Sequence, residues 1–224
     1  MTSIKILQLR DLLKSFGLGI DTAIADEINR RIFNGQSSFC LDTDTLLGES
    51  VHLKIRLMFA KSPENEEYFL HAYRVTHHLP DDPTNDRTQS FDMTIGMPIN
   101  LKEAFNLLQG RAVFKEIAPP KDEKYFAWVQ LNFQEKEPNG NYKVAKFRSY
   151  RGFDLGPILS RYPILELKDE GRKKEIILGL KSGDRKKVTF EKPTGKPQEK
   201  FIEFNPMHKS INIYAAPKAL QKVK

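Results

Sequence analysis

A single cysteine, Cys40, in 224 residues excludes an intrachain disulfide and any zinc site built from several cysteines, and a reducing compartment is the simplest setting for such a chain. Long apolar runs are also missing. The opening stretch MTSIKILQLRDLLKSFG carries Asp11 and Lys14 among its apolar positions. It therefore has neither the uninterrupted core of a signal peptide nor the roughly 20 apolar residues of a membrane span. The expectation is a cytoplasmic protein with no membrane partner. No G-x-S-x-G, P-loop, G-x-G-x-x-G or H-E-x-x-H occurs, so pattern assigns no catalytic residue, no cofactor and no metal ligand, and the expectation is a protein that is not an enzyme. Glycine- or serine-rich linkers, internal repeats and low-complexity tracts are absent as well.

Surplus positive charge is absent from the first three quarters of the chain. Residues 1–171 carry 22 Lys and Arg against 24 Asp and Glu, whereas residues 172–224 carry 14 against 5, so the formal charge of +7 resides in the last quarter. A localised basic field attracts nucleic acid, an anionic surface or an acidic partner without specifying which. With 39% hydrophobic and 29% charged residues, the composition is that of an ordinary globular protein. At this length a compact chain buries roughly 70% of its unfolded surface.

The hydrophobic period changes along the chain. Ile4, Leu7, Leu12, Leu13 and Phe16 recur at helical spacing and stop at Gly17, and a second helix runs from Asp21 as N-cap through Ile24, Ile28 and Ile32 to Asn34-Gly35. Residues 51–59 alternate apolar with polar, which predicts a strand with one buried face. Further strands are expected at 68–75 and 87–95, with a short one at 38–42. Asn100 and Glu103 form a capping-box pair for a helix over 101–108, ended by Gly110. Strands follow near 112–117, 125–133 and 142–150, then helices over 153–162 and 172–181, then strands at 186–191, 200–204 and 210–214. Strands come in runs without βαβ alternation. The fold class is therefore α+β: an N-terminal helix pair and antiparallel sheets with short helices packed on them. The division expected is 1–97, a helix pair plus an antiparallel meander, and 98–224, an α+β unit ending in a basic hairpin, the two forming separate domains or one compact unit.

Several stretches carry residue types suited to chemistry. His77-His78-Leu79-Pro80-Asp81-Asp82, with Asp86 nearby, holds imidazoles and carboxylates, yet adjacent histidines on a strand point opposite ways, and the stretch reads as a solvated loop. Asp42 and Asp44 share a strand face. With a third carboxylate they suit Mg²⁺, the basis of a metal-dependent nuclease reading, but acids at this spacing are common in turns. Cys40, between Phe39 and Leu41, reads as a small core hydrophobe. Phe126 and Trp128 share one face of their strand, and Tyr142, Lys146, Arg148 and Tyr150 share a side of the next. Either the aromatics and cations form a platform for single-stranded nucleic acid, or the aromatics lie beneath a helix and the cations coat solvent. Arg172, Lys173 and Lys174 open the last helix, where the macrodipole disfavours cations. Arg185, Lys186 and Lys187 lead into the hairpin, followed by Lys192, Lys196 and Lys200. If helix start and hairpin face one side, these cations can each neutralise a phosphate.

The strings LKEAFNLLQGRAVFKE (101–116), YFAWVQLNF (125–133), YRGFDL (150–155), LKSGDRKKVTF (180–190) and FIEFNPMHKSINIY (201–214) resemble an uncharacterised Bacteroidetes family. Its members carry strings of the forms EAYNLLxGRAV, YxAWxQLDF, YGYDL, LxxGNxQSVT and FIEANPQFKTxxxYD in the same order. The resemblance implies a setting in conjugative or other mobile-element regions beside DNA-processing genes, and brings no catalytic residue with it. This chain departs from the family at Asp184-Arg185-Lys186-Lys187, where relatives show N-x-Q-S, and at Phe204, Met207 and His208, where they show A, Q and F. Part of the hairpin's charge is thus particular to this chain.

These readings converge on a non-enzymatic accessory protein of a mobile element that contacts DNA or RNA. The phosphate contacts expected are Arg172, Lys173, Lys174, Arg185, Lys186 and Lys187. The alternatives are a protein-interaction module docking a partner encoded nearby, and a metal-dependent nuclease.

Overall fold

A computed structural model describes residues 2–18, 21–48, 51–78, 86–119, 121–149 and 154–216. Among them are five α-helices and ten strands in three antiparallel sheets, an α+β fold. No helix among the described residues is long and apolar enough to cross a membrane.

The first layer is the helix pair α1 (Thr2–Ser15) and α2 (Thr22–Phe33). The carboxylate of Asp21 accepts from the Ile24 amide and caps α2, as the sequence suggested. The strands β1 (Ser38–Leu47), β2 (Val51–Lys61), β3 (Tyr68–His77) and β4 (Arg87–Asp92) form a meander in chain order. Period-2 alternation decides which side is buried: Leu53, Ile55, Leu57 and Phe59 of β2 point inward while His52, Lys54 and Arg56 point out. The first strand runs five residues beyond the expected 38–42 and the fourth stops at Asp92, three short of expectation.

Helix α3 (Leu101–Leu108) closes this first core. Its capping box is present as read: Asn100 Oδ1 accepts from the Glu103 amide at 2.9 Å, and Glu103 Oε2 accepts from the Asn100 amide at 3.0 Å. Glu103 is buried and also receives the Lys115 ammonium at 2.9 Å, so the charge it carries inside is compensated.

The second sheet, β5 (Val113–Ile117), β6 (Tyr125–Lys136) and β7 (Tyr142–Ser149), is a shared wall. Ala127, Val129 and Leu131 of β6 face the first core, whereas Trp128 faces a second one. That explains why YFAWVQLNF is a nearly continuous apolar run: both faces of the strand are covered. The second core is completed by α4 (Leu155–Leu159), a 3-10 turn at Leu165–Lys168, α5 (Glu170–Lys181), and a third sheet of β8 (Lys186–Phe190), β9 (Gln198–Asn205) and β10 (Ser210–Ala215) in the order β10-β9-β8. The helix expected over 153–162 is only the single turn α4, and the 3-10 turn was not anticipated. A division near Pro98 falls between β4 and α3, and the side chains of α3 and one face of β5 and β6 are buried in the same cluster as the first sheet.

Candidate nucleic-acid interface

The basic C-terminal segment begins differently from the sequence reading. Helix α5 starts at Glu170, two residues earlier than expected, and Asp169 caps it by accepting from the Arg172 amide at 2.8 Å. Asp169 and Glu170 thus precede Arg172 in the first turn and offset the cations that follow, as the macrodipole favours. The helix opens on Glu170 and not on Arg172, and the three cations occupy its third to fifth positions.

All five acids of residues 172–216 have a cation: Glu175 takes Lys186 (3.4 Å), Asp184 takes Lys102 (2.7 Å), Glu191 takes Lys168 (3.3 Å), Glu199 takes Lys187 (2.7 Å) and Glu203 takes Arg185 (2.7 Å). Lys173 pairs with Glu170 at 3.0 Å. Four of the six expected phosphate contacts thus hold a carboxylate already. The pairs of Lys173, Lys186 and Lys187 are with well-exposed acids and exchange partners easily. Arg185 is different, because Glu203 is buried. Among the described residues, Arg172, Lys174, Lys192 and Lys196 are exposed and make no ion pair.

The fold sorts these groups by end. The 3-10 turn that leads into α5 is tied to the far end of β8: Ile164 bridges Phe190, the Glu191 amide donates to Pro163 O at 2.7 Å, and Glu166 accepts from the Thr189 amide. The turn leading into α5 and the end of β8 therefore lie together, and Arg172 and Lys174 on one side and Lys192 and Lys196 on the other belong to the segments that lead on from that junction. Arg185 lies at the other end of α5, a helix about 18 Å long by its 12 residues, and the Lys186 ammonium reaches back to Glu175 midway along it. Of the six expected contacts, Arg172 and Arg185 are thus separated by most of the length of α5.

At that second end a cleft of about 480 Å³ opens between α3, the beginning of β5 and the third sheet. Arg111 reaches into it, donating to Asn106 Oδ1 and packing its guanidinium 5.4 Å from the Phe105 ring. Arg185, Lys102 and Lys186 line it as well. Arg111 and Lys102 escaped the sequence reading because they lie in the nearly neutral part of the chain. The available signal was the arginine directly after the helix-ending Gly110.

The aromatic face does not form a stacking platform around Trp128. Its side chain is fully buried against Phe204, at 4.2 Å between ring centroids, and beside Phe114. Phe126 stacks on Phe114 and is half exposed. On the next strand Arg148 lies over Tyr125 at 4.0 Å. Tyr150 lies outside the described residues.

The acidic and histidine stretches resolve into structural pairs. Asp42 and Asp44 share the outer face of β1, in a shallow groove of about 680 Å³ across the first sheet. Asp42 accepts both nitrogens of a bidentate Arg56, at 2.7 and 2.9 Å, and this holds its carboxyl below the usual aspartate range. Across the same face Arg74 donates to Ser90, and Thr76 bonds Thr88. His77 and His78 point opposite ways, as expected. His77 is buried edge-on to Phe105 and bonded to Gln109, and burial lowers its pKa, while His78 pairs with Asp86. Asp81 and Asp82 lie outside the described residues. No group of three or more His, Cys, Asp or Glu among the described residues is placed to hold a metal ion. Cys40 is corrected: it is exposed, on the same outer face as Asp42, while its neighbours Phe39 and Leu41 are buried.

No family model matches the chain, and neither a curated protein nor a solved structure matches it.

Proposed function

We propose that the protein is a non-enzymatic accessory protein of a mobile genetic element that contacts nucleic acid through its basic C-terminal region. One observation carries the reading. Arg172 and Lys174 at the start of α5, and Lys192 and Lys196 in the β8–β9 loop, lie on segments leading from the junction of residues 163–166 with 189–191, exposed and without carboxylate partners among the described residues. Cations in that state are free to replace the counterions of a phosphate backbone. Lys173 and Lys187 can join them by leaving exposed acids, whose hold is weak. The resemblance of the strings around Arg111, Trp128 and Glu203 to a family of mobile-element regions supplies the biological setting.

Such contacts are largely independent of sequence and fall steeply with salt. On duplex DNA, the logarithm of the affinity against the logarithm of salt concentration has a slope of about 0.9 per phosphate neutralised. Replacing Arg172, Lys174, Lys192 and Lys196 together by alanine is therefore expected to flatten the slope by about 3 to 4. Fluorescence anisotropy with labelled DNA and RNA across a salt series measures it. An absence of binding to either at low salt overturns the proposal.

A further inference from the structure

We propose that the cleft at the C-terminal end of α5 is a binding site for a phosphate-class oxyanion, held between the guanidinium groups of Arg111 and Arg185 and flanked by Lys102. It lies at the opposite end of the helix from Arg172 and does not depend on the contact proposed there.

Cations outnumber carboxylates in this open cleft, which has a deeply placed arginine at its base. Glu203 is buried, and its Oε1 serves two guanidinium groups at once: Arg185 Nε at 2.7 Å and Arg111 Nη1 at 3.9 Å, the latter too long for a hydrogen bond. Its other oxygen, Oε2, accepts from the Tyr214 hydroxyl at 3.0 Å. The second carboxylate of the cleft, Asp184, is occupied by Lys102 at 2.7 Å and by Asn106 Nδ2 at 3.2 Å. Arg111 is thus left with a long ion pair to Glu203 and no hydrogen bond to either acid.

Arg111 is nevertheless deeply placed. Its side chain is 12% exposed, and its Nε is buried with no hydrogen-bond partner among the described residues. The cost of that burial lowers the pKa of its guanidinium, an effect opposed by Glu203 and reinforced by the like charge of Arg185. A deeply placed guanidinium that shares one carboxylate with a second arginine, with Lys102 beside them, is stabilised by an added anion with several acceptor oxygens. Phosphate matches this best, because its tetrahedral oxygens accept from two planar forks at once. The cleft's volume of about 480 Å³ exceeds that of the bare ion, and Phe105 and Leu47 give it an apolar wall, so it accommodates a phosphate ester with an organic group attached.

The test uses the full chain, labelled with ¹⁵N, titrated with inorganic phosphate at constant ionic strength made up with chloride. Saturable shifts of the arginine Nε–H resonances are expected, abolished or weakened roughly ten-fold or more in Arg185→Gln and in Lys102→Ala. Lys102 is more than half exposed, so the fold should tolerate its loss, and because Arg185→Gln removes the charge beside the buried Glu203, a thermal melt of that variant accompanies its titration. Arg111→Lys, which retains charge but not the fork, should lose phosphate binding as well. Parallel titrations with a nucleoside 5′-monophosphate and with an oligonucleotide, with and without a 5′-phosphate, distinguish a free phosphate ester from a nucleic-acid end as the source. Phosphate binding by a protein that ignores DNA and RNA supports the cleft and leaves only the nucleic-acid reading overturned. Shifts that never saturate, or that persist unchanged in Arg185→Gln and Lys102→Ala, overturn the cleft.

Discussion

Trp128 of β6 and Phe204 of β9 lie with ring centroids 4.2 Å apart and planes tilted by 40°, and through them the middle sheet is joined to the third. The contact lies inside the second core, with Leu155, Leu159, Ile176 and Ile202 around it. Because the opposite face of β6 is buried in the first core, this strand links both halves of the protein. Stability should therefore be shared across the proposed boundary near Pro98.

Trp128 is the only tryptophan, which makes it a clean reporter of that arrangement. Being fully buried, it should emit at short wavelength, resist acrylamide quenching, and keep its emission when nucleic acid is added. Its Nε1 is buried without a partner among the described residues, so the indole N–H already carries a desolvation cost. Trp128→Phe removes that cost and offsets part of the lost packing, whereas Trp128→Ala should destabilise by about 3–5 kcal/mol. Urea melts of the two variants measure the difference. Quenching of native Trp128 by an added oligonucleotide would instead restore the stacking platform.

Tyr73 gives a prediction in pH. It is fully buried in the first core and its hydroxyl donates to Ile99 O at 2.7 Å. Burial raises its pKa well above the ordinary tyrosine value, with the charge of Glu103 adding to the effect. The folded form thus resists ionisation more than the unfolded form. The associated stability is complete below the unfolded value of about 10 and is lost as pH rises from there toward the folded value. Spectrophotometric titration of the seven tyrosines should show at least one that ionises only as the protein unfolds. Tyr73→Phe should remove that step and, by leaving the Ile99 carbonyl unpaired, lower stability by about 1–3 kcal/mol. Ionisation of all seven in the folded state would contradict the buried placement.

Local patterns in the sequence were good guides to elements and poor guides to gatherings. The alternation from Leu53 to Phe59 and the Asn100/Glu103 pair are written within a few neighbouring residues, and both appear as read. Cys40 was misjudged by weighing its hydrophobic neighbours over the strand period: once Phe39 and Leu41 face inward, the residue between them must face out. Asp169 and Glu170 were equally available as the cap and first turn of α5. The cleft was not legible, because Lys102, Arg111, Arg185 and Glu203 meet only when α3, β5 and the third sheet pack together. Counting charge along the chain assigned two of these cations to a neutral body and one to a basic end.

Gly183 shows how closely that gathering depends on one backbone position. It ends α5 with φ of +81°, and a Cβ built there would lie 2.9 Å from Asn106 Cβ, 2.9 Å from Val113 Cγ2 and 3.1 Å from Ala112 O. The close approach lets Ser182 O accept from Asn106 Nδ2 at 2.7 Å, and Asn106 in turn accepts from Arg111. Gly183→Ala therefore combines a left-handed backbone with collisions against side chains and a carbonyl, for a cost of roughly 2–4 kcal/mol. Gly195 is the control: its φ is +96°, yet nothing lies within 4 Å of an added Cβ. Gly195→Ala carries backbone strain alone, about 1–2 kcal/mol. Thermal melts should rank Gly183→Ala clearly below Gly195→Ala, and the Arg111 Nε–H resonance should move only in the former. Equal melting temperatures would mean that the end of α5 is not pressed against Asn106, and the support for Arg111 would have to come from elsewhere.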